Sequence, residues 1–116
     1  MADNRYLVFS KPPDRVSASE YDRWYDLHVR ENIVSPGFLS ASRFSVSPAT
    51  GTPGPFTHLA LYEYEGDMQT WRTDLTARIE SREIVLPEWF GEITFGSWDC
   101  LPLSDRIEPV RPARAS

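Results

Sequence analysis

The chain contains few of the residues that form disulfides, metal centres and nucleic-acid-binding surfaces. Its 116 residues include one cysteine and two histidines, so an intramolecular disulfide is impossible and no Cys/His cluster has zinc-ligand spacing. Twelve scattered basic residues face seventeen acidic ones, for a formal net charge of −5. Nucleic acids are bound by concentrated basic surfaces. We therefore expect neither a metal nor a nucleic-acid partner.

Long hydrophobic runs are also missing. No segment approaches the roughly 20 apolar residues that span a bilayer, and the first residues, MADNRYLVF, lack the basic and apolar regions of a secretory signal. These features predict a cytoplasmic protein with no membrane partner. The preference for arginine over lysine favours a GC-rich bacterial source.

The composition is typical of a single globular domain. A hydrophobic content of 41% in 116 residues is enough to form one core without disulfides or a structural metal ion. Beyond residue 107 the chain has prolines at positions 109 and 112 and no apolar periodicity. We therefore predict one domain over residues 1–107 and an extended or disordered tail over residues 108–116.

Hydrophobic spacing predicts four strands and two helices. Strands are marked by alternating or β-branched and aromatic residues, and helices by apolar residues three and four positions apart. Alternation in the second strand places Phe38 and Phe44 on one face, with Ala41 and Arg43 on the other. The predicted elements are a strand over Arg5–Ser10, a helix beginning at Ser17, strands over Phe38–Val46 and Phe56–Tyr64, a helix after Gly66 and Asp67, and a strand over Ile93–Leu101.

The order strand, helix, strand, strand, helix, strand predicts an α+β fold of the ferredoxin-like βαββαβ type. In this arrangement a four-stranded antiparallel sheet carries both helices on one face. The other face would expose aromatic and aliphatic side chains to water, which a small soluble domain avoids. We therefore expect that face to pack against a second copy, giving a two-fold symmetric homodimer.

The first helix carries the clearest functional signal. Ser17 followed by Glu20 is typical of a capping box, and Pro36 with Gly37 marks the end of the helix segment. At 100° per residue, His28 lies on the inward face in the middle of aromatic residues. That face is formed by Tyr21, Trp24, Tyr25, His28 and Asn32.

An imidazole with an ordinary pKa near 6.5 both takes and gives a proton near neutral pH. This property suits enolisation, aldol cyclisation, dehydration or isomerisation of a carbonyl compound, and neighbouring tyrosines could hold the enolate oxygen. The alternative is that His28 is a core histidine, hydrogen-bonded to a carbonyl or to a tyrosine hydroxyl.

Other candidate residues have equally open alternatives. His58 and Tyr62 share one face of the third strand, so His58 lies either on a pocket wall or in the dimer interface. Trp71 belongs to the core or to an aromatic pocket, which would favour a planar, apolar ligand. Arg43 either binds a carboxylate ligand or pairs with an acidic neighbour, and Cys100 is expected to be a small buried side chain.

Three sequence segments carry a resemblance to a known superfamily: EYDRWYDLHVREN, PGFLSASRF and HLALYEYEG. Together they resemble the dimeric α/β-barrel superfamily, and within it the EthD-like proteins and small polyketide cyclases. The resemblance implies a pocket between the helices and the sheet, with His28 projecting into it. Members of this superfamily include cofactor-free cyclases, muconolactone-type isomerases, small quinone-forming monooxygenases and haem-binding enzymes, so the fold does not specify the reaction.

The resulting hypothesis is a cofactor-free cyclase, isomerase or dehydratase/lyase. It would act by proton transfer to or from an aromatic, polyketide-like or unsaturated carbonyl substrate. His28 is its general acid/base. Alternatives are a cofactor-free monooxygenase, a non-catalytic ligand-binding protein, and a haem protein with a histidine axial ligand. No phosphate-binding, dinucleotide or nucleophile-elbow motif is present, and no cofactor is expected. The expected substrate-binding residues are Tyr21, Trp24, Tyr25, His58, Tyr62 and Trp71.

Overall fold

The computed structural model describes residues 4–112, and within them it contains one four-stranded antiparallel sheet and two helices. The strand order is β2-β3-β1-β4. The predicted ferredoxin-like βαββαβ fold is confirmed, and the predicted strand bounds agree to within two residues. The elements are β1 (Asn4–Lys11), α1 (Ala18–Asn32), β2 (Phe38–Ser45), β3 (His58–Tyr64), α2 (Met68–Glu80), a 3₁₀ turn at Phe90–Glu92, and β4 (Thr94–Cys100).

Both helices cover the same face of the sheet. Tyr21 and Tyr25 of α1 pack against Tyr62 of β3 in the main buried cluster. The Trp71 ring of α2 lies with its centroid 5.1 Å from that of Tyr6 on β1, which faces the same side as Tyr62. The core cluster consists of Val16, Tyr21, Tyr25, Val29, Ala60, Tyr62, Trp89 and Ile93.

The ends of α1 follow from local sequence. Ser17 caps the helix, since its Oγ accepts a hydrogen bond from the backbone N–H of Glu20 at 3.2 Å. After the helix, Gly37 has a φ of +100°, and a Cβ at this position would lie 2.7 Å from the carbonyl oxygen of Glu65. Only glycine fits this close approach, which brings the chain into β2 beside the end of β3.

A bulge near the start of β2 changes which residues face the helices. The register with β3 shifts between Phe38 and Ser40, so β2 has one extra residue. Because side chains alternate along a strand, the extra residue moves every later side chain to the opposite face. Ala41 and Arg43 therefore share the helix-covered face with Phe38, and the prediction that Phe38 and Phe44 share a face is wrong.

The outer face of the sheet is largely apolar and is covered by neither helix, although the Phe56 ring from the segment before β3 packs there against Phe9 and Trp98. The cross-strand register places two rows of side chains on it, and Phe44 and Trp98 are 50% and 52% exposed. Cys100 at the end of β4 is also exposed, contrary to the prediction that it is buried. The two rows are formed by Phe44, Leu59 and Phe9, and by Leu61, Leu7 and Trp98.

Residues 101–112 follow β4 without a helix or strand, and Leu103 and Val110 are fully exposed. The last four residues of the predicted tail, 113–116, lie outside the described residues. Over residues 4–112, neither helix has the length and apolar character needed to cross a membrane.

Arg78 connects the two helices at the end of α1. Its guanidinium donates to the main-chain carbonyl of Glu31 at 2.5 Å and to Ser35 Oγ at 2.8 Å, and its Nε donates to the Glu83 carboxylate. The Arg78 side chain is only 12% exposed. These charge-assisted hydrogen bonds fix the separation of α1 and α2 at this end of the sheet.

We predict that Arg78→Met lowers the free energy of unfolding by about 2–4 kcal/mol, because several buried or partly buried acceptors lose their charged donor. Arg30→Met is the matched control. Arg30 pairs with Asp26 four residues earlier, as Arg78 does with Asp74. The Arg30 side chain is 73% exposed, however, so its loss should cost only a few tenths of a kcal/mol. Urea unfolding at fixed protein concentration measures both, and equal effects would contradict the structural role of Arg78.

Candidate active site

A cavity of about 200 Å³ lies between the two helices and the helix-covered face of the sheet. Its floor is the cross-strand pair Val8 and Ser97, which join β1 to β4. Phe95 and Ser97 are exposed, so the cavity opens toward the β4 edge. The lining residues are Tyr6, Val8, Tyr25, His28, Asn32, Tyr62, Trp71, Leu75, Phe90, Phe95 and Ser97.

Helical spacing brings the α1 residues to this wall. Tyr25, His28 and Asn32 follow one another at intervals of three and four, so they form one stripe along the inner face of the helix. All three are buried. The same stripe begins with Tyr21, which lies beyond the cavity in the core.

Four of the predicted site residues line the cavity: Tyr25, His28, Tyr62 and Trp71. Asn32, four residues after His28 on the same helix face, was detectable from the periodicity and was not among the predicted site residues. The other lining residues come from β1, α2, the 3₁₀ turn and β4. Their place on the wall depends on strand pairing and on the loop before β4, which local sequence patterns do not reveal.

Tyr21 and Trp24 do not line the cavity. Tyr21 is completely buried and donates a hydrogen bond from its hydroxyl to Ser10 Oγ at 2.7 Å. Trp24 lies behind His28, with its ring stacked on the imidazole at a centroid distance of 4.8 Å and an interplanar angle of 18°. Trp24 therefore supports the orientation of His28 from the side away from the cavity.

His58 lies near the first turns of α1, away from the cavity. It faces α1, with its ring centroid 5.0 Å from that of Tyr21, and so is not on the outer sheet face. His58 Nε2 lies 3.4 Å from Asp22 Oδ1, and its Nδ1 lies 2.7 Å from Thr57 Oγ1. Arg43 pairs with the same Asp22 carboxylate at 2.8 Å, which is the acidic-neighbour alternative.

His28 is a buried, neutral imidazole. The residue is 9% exposed, and burial lowers the pKa of its side chain from 6.5 to about 4. The expectation of an ordinary pKa near neutrality for His28 is therefore wrong. His28 Nδ1 has no hydrogen-bond partner, and Glu31 Oε1 lies 4.0 Å from it, too far for a hydrogen bond.

The neighbouring hydroxyls are also neutral. Asn32 Nδ2 donates to the Tyr62 hydroxyl oxygen at 3.0 Å, which leaves the hydroxyl hydrogen of Tyr62 free to donate elsewhere. Burial raises the pKa of Tyr62 to about 12 and also raises the pKa of Tyr25. At neutral pH both side chains are hydrogen-bond donors and not phenolate bases.

Buried polar atoms without partners are concentrated at this place. Within residues 4–112 they belong to three lining residues and to the Trp24 indole behind His28. Most buried polar side-chain atoms in proteins are hydrogen-bonded, and an unpaired one costs about 1–3 kcal/mol. Their clustering is typical of a site that gains partners when a ligand binds. The atoms are Trp24 Nε1, His28 Nδ1, Asn32 Oδ1 and Trp71 Nε1.

The cavity presents no charged group and is a poor fit for the larger cofactors. None of the described lining side chains is Asp, Glu, Lys or Arg. In the portion from residue 4 to residue 112, no three His, Cys, Asp or Glu side chains cluster closely enough to hold a metal ion. A volume of about 200 Å³ is below the usual range of roughly 300–1,000 Å³ for ligand pockets. A haem macrocycle does not fit inside it.

Comparison with solved structures identifies the fold. A protein from Shewanella loihica PV-4 for which monooxygenase activity is suggested has a TM-score of 0.57 and 11% identity, covering 90% of this chain and 98% of that one. A dimeric ferredoxin-like protein from an uncultured marine organism has a TM-score of 0.57 and 14% identity, covering 89% and 97%. No protein-family model matches the sequence, and no curated protein matches it. The chain is therefore similar in fold to dimeric ferredoxin-like proteins.

The low pKa of His28 predicts a specific pH dependence of stability. Its pKa is about 4 in the folded protein against 6.5 for a free side chain, so between these values the unfolded chain binds more protons. Stability should therefore fall as the pH decreases from 6.5, by about 3 kcal/mol at pH 4 from this group alone. His28→Gln should lack this contribution.

Chemical unfolding of both proteins at pH 7, 5.5 and 4.5, at one protein concentration, measures the difference. All other titratable residues are the same in both proteins, so the informative quantity is the change with pH in the stability difference between them. A stability difference that does not vary with pH would contradict the neutral, buried state of His28.

Proposed function

We propose that the protein is a cofactor-free enzyme that catalyses proton transfer to or from a small, neutral aromatic or unsaturated carbonyl substrate. Aldol-type cyclisation, isomerisation and dehydration or lyase reactions that pass through an enolate begin in this way. The observation that carries the proposal is the neutral imidazole of His28 on the wall of an otherwise uncharged, mainly apolar cavity. His28 accepts the proton, and the cavity binds the substrate.

The cavity size supports a single-ring substrate. An apolar cavity of about 150 Å³ is large enough to bind benzene, and this one measures about 200 Å³. Its aromatic walls favour a flat ligand. An extended polyketide chain would have to project through the opening at the β4 edge, so we narrow the substrate class to monocyclic compounds.

The local electrostatics favour a proton transfer in which two opposite charges form side by side. Burial disfavours the imidazolium form of His28, so the imidazole by itself is a weak base. When it removes a proton from a neutral substrate, the imidazolium and the enolate form together as opposite charges, and their attraction in a medium of low dielectric constant offsets part of the desolvation penalty of each charge. The free hydroxyl hydrogen of Tyr62 can donate to the enolate oxygen.

A cofactor-free monooxygenase is the second candidate. It is favoured by the similarity in fold to the Shewanella loihica protein for which such an activity is suggested. Monocyclic phenols and unsaturated carbonyl compounds should be incubated with the protein in the presence and absence of oxygen. Product without oxygen supports the proton-transfer enzyme, oxygen-dependent product supports the monooxygenase, and binding without product supports a non-catalytic binding protein.

For a substrate identified in this way, His28→Gln should lower kcat by about 10²-fold or more, the usual scale for a general acid or base. Glutamine keeps a hydrogen-bonding group but cannot accept the proton. His58→Gln is the matched control, because the second histidine lies outside the cavity. Full activity of His28→Gln would contradict the assigned role, and equal losses in both variants would point to a general effect on folding.

We also propose that the protein is a homodimer formed through the outer face of the sheet. Two apolar rows cross that face, and one protein of similar fold is described as dimeric. A contiguous apolar surface on a sheet face is typical of an interaction site, and self-association by a two-fold axis brings identical surfaces together.

Sedimentation at micromolar concentration should therefore give twice the mass of one chain. Phe44→Glu places a charge within the proposed interface, at the β2 end of one apolar row, and should shift the protein toward the monomer. Val85→Glu is the control, because Val85 is also exposed but lies in the segment after α2. A monodisperse wild-type monomer would contradict the proposed dimer.

A further inference from the structure

We propose that Glu31 is a positioning residue that holds the proton of His28 on Nδ1, so that Nε2 offers its lone pair to a hydroxyl donor on a neutral, single-ring ligand. The inference deepens the proposed function and rests on it for the role of His28 as proton acceptor. It adds the tautomer of the imidazole, the residue that sets it, and the group that the ligand must carry.

The geometry of α1 places Glu31 beside the unpaired nitrogen. Residues three apart lie next to each other on a helix surface, and Glu31 Oε1 is 4.0 Å from His28 Nδ1. A modest side-chain rotation would close the gap to a hydrogen bond. In ligand-free sites such hydrogen bonds are often long and tighten when the substrate binds.

The aromatic rings packed around the imidazole offer Nδ1 no charged partner. They belong to Trp24, Tyr25 and Phe90. Nδ1 itself is buried without a hydrogen bond. The Glu31 carboxylate is therefore the acceptor that can remove the cost of leaving this N–H unpaired.

Arg78 of α2 holds Glu31 in place. It donates to the Glu31 main-chain carbonyl and is surrounded by the carboxylates of Asp74 and Glu83. Burial raises the pKa of Glu31, and the positive charge of Arg78 opposes that change. Arg78 thus fixes the main chain of α1 at Glu31, three residues after His28.

The tautomer determines what the cavity recognises. With the proton on Nδ1, the imidazole presents an acceptor at Nε2, the other ring nitrogen. A ligand that fits must then supply a donor, such as a phenol or enol hydroxyl. The absence of charged side chains on the described cavity wall disfavours an ionised ligand.

Nitrogen-15 NMR of the labelled imidazole tests the tautomer without any need for activity. The wild-type protein should show the proton on Nδ1. Glu31→Leu should shift the population toward the Nε2–H form, whereas Glu31→Gln, which keeps an acceptor oxygen at the same distance, should restore the wild-type spectrum. Glu20→Leu, a change on the exposed first turn of the same helix, is the control. An unchanged tautomer in Glu31→Leu would overturn the proposal.

Phenol and anisole test the ligand preference, because they differ by one hydroxyl hydrogen. Calorimetric or NMR titration should show wild-type protein binding phenol about fivefold or more tightly than anisole, the scale of one hydrogen bond. Glu31→Leu should bind both about equally. Equal binding by the wild-type protein overturns the hydroxyl selection but leaves the cavity intact. If neither compound binds, the monocyclic substrate class of the proposed function is wrong, and the tautomer measurement still decides the role of Glu31.

Discussion

The burial of the inner face of α1 against the sheet is the interaction on which the rest of the structure depends. It removes Tyr21, Tyr25, His28 and Asn32 from water in one stripe. The tyrosines fill the core, and the histidine and asparagine reach the space left between the helices. The same desolvation lowers the pKa of His28 and raises the pKa of Tyr62. The core and the character of the site therefore have one physical origin.

The elements and the face of α1 could be predicted because each depends on local periodicity. His28 was found in this way, and Asn32 was on the same predicted face. The bulge in β2 could not be predicted, because the register shift between Phe38 and Ser40 leaves no mark in the local sequence. The alternation of side chains simply reverses after it. The cavity wall contributed by β1 and β4 requires the strand register. The lowered pKa of His28 could not be predicted either, because it depends on how deeply the side chain is buried, and the helix phase shows only which face the residue is on.

Buried polar atoms without hydrogen-bond partners lower the free energy of unfolding, and here they lie at the cavity. A fully satisfied core would have hydrogen-bonded Asn32 Oδ1 and the indole of Trp71, yet both remain without partners. Natural sequences are locally consistent except where function requires otherwise. Arg78 of α2 donates to the main chain of α1 and so fixes the separation of the two helices at one end of the site. The segment before β4 packs on α1 through Trp89 and Trp24.

The Val8 and Ser97 floor of the cavity has a consequence for how the protein can diversify. Neither residue belongs to the buried α1 stripe, and Ser97 lies on an edge strand. Val8 also packs against the core cluster, whereas Ser97 is exposed and outside that cluster. A larger side chain at position 97 would therefore narrow the space above the sheet without changing the residues that pack against α1, so variation at this one codon would alter ligand size independently of His28.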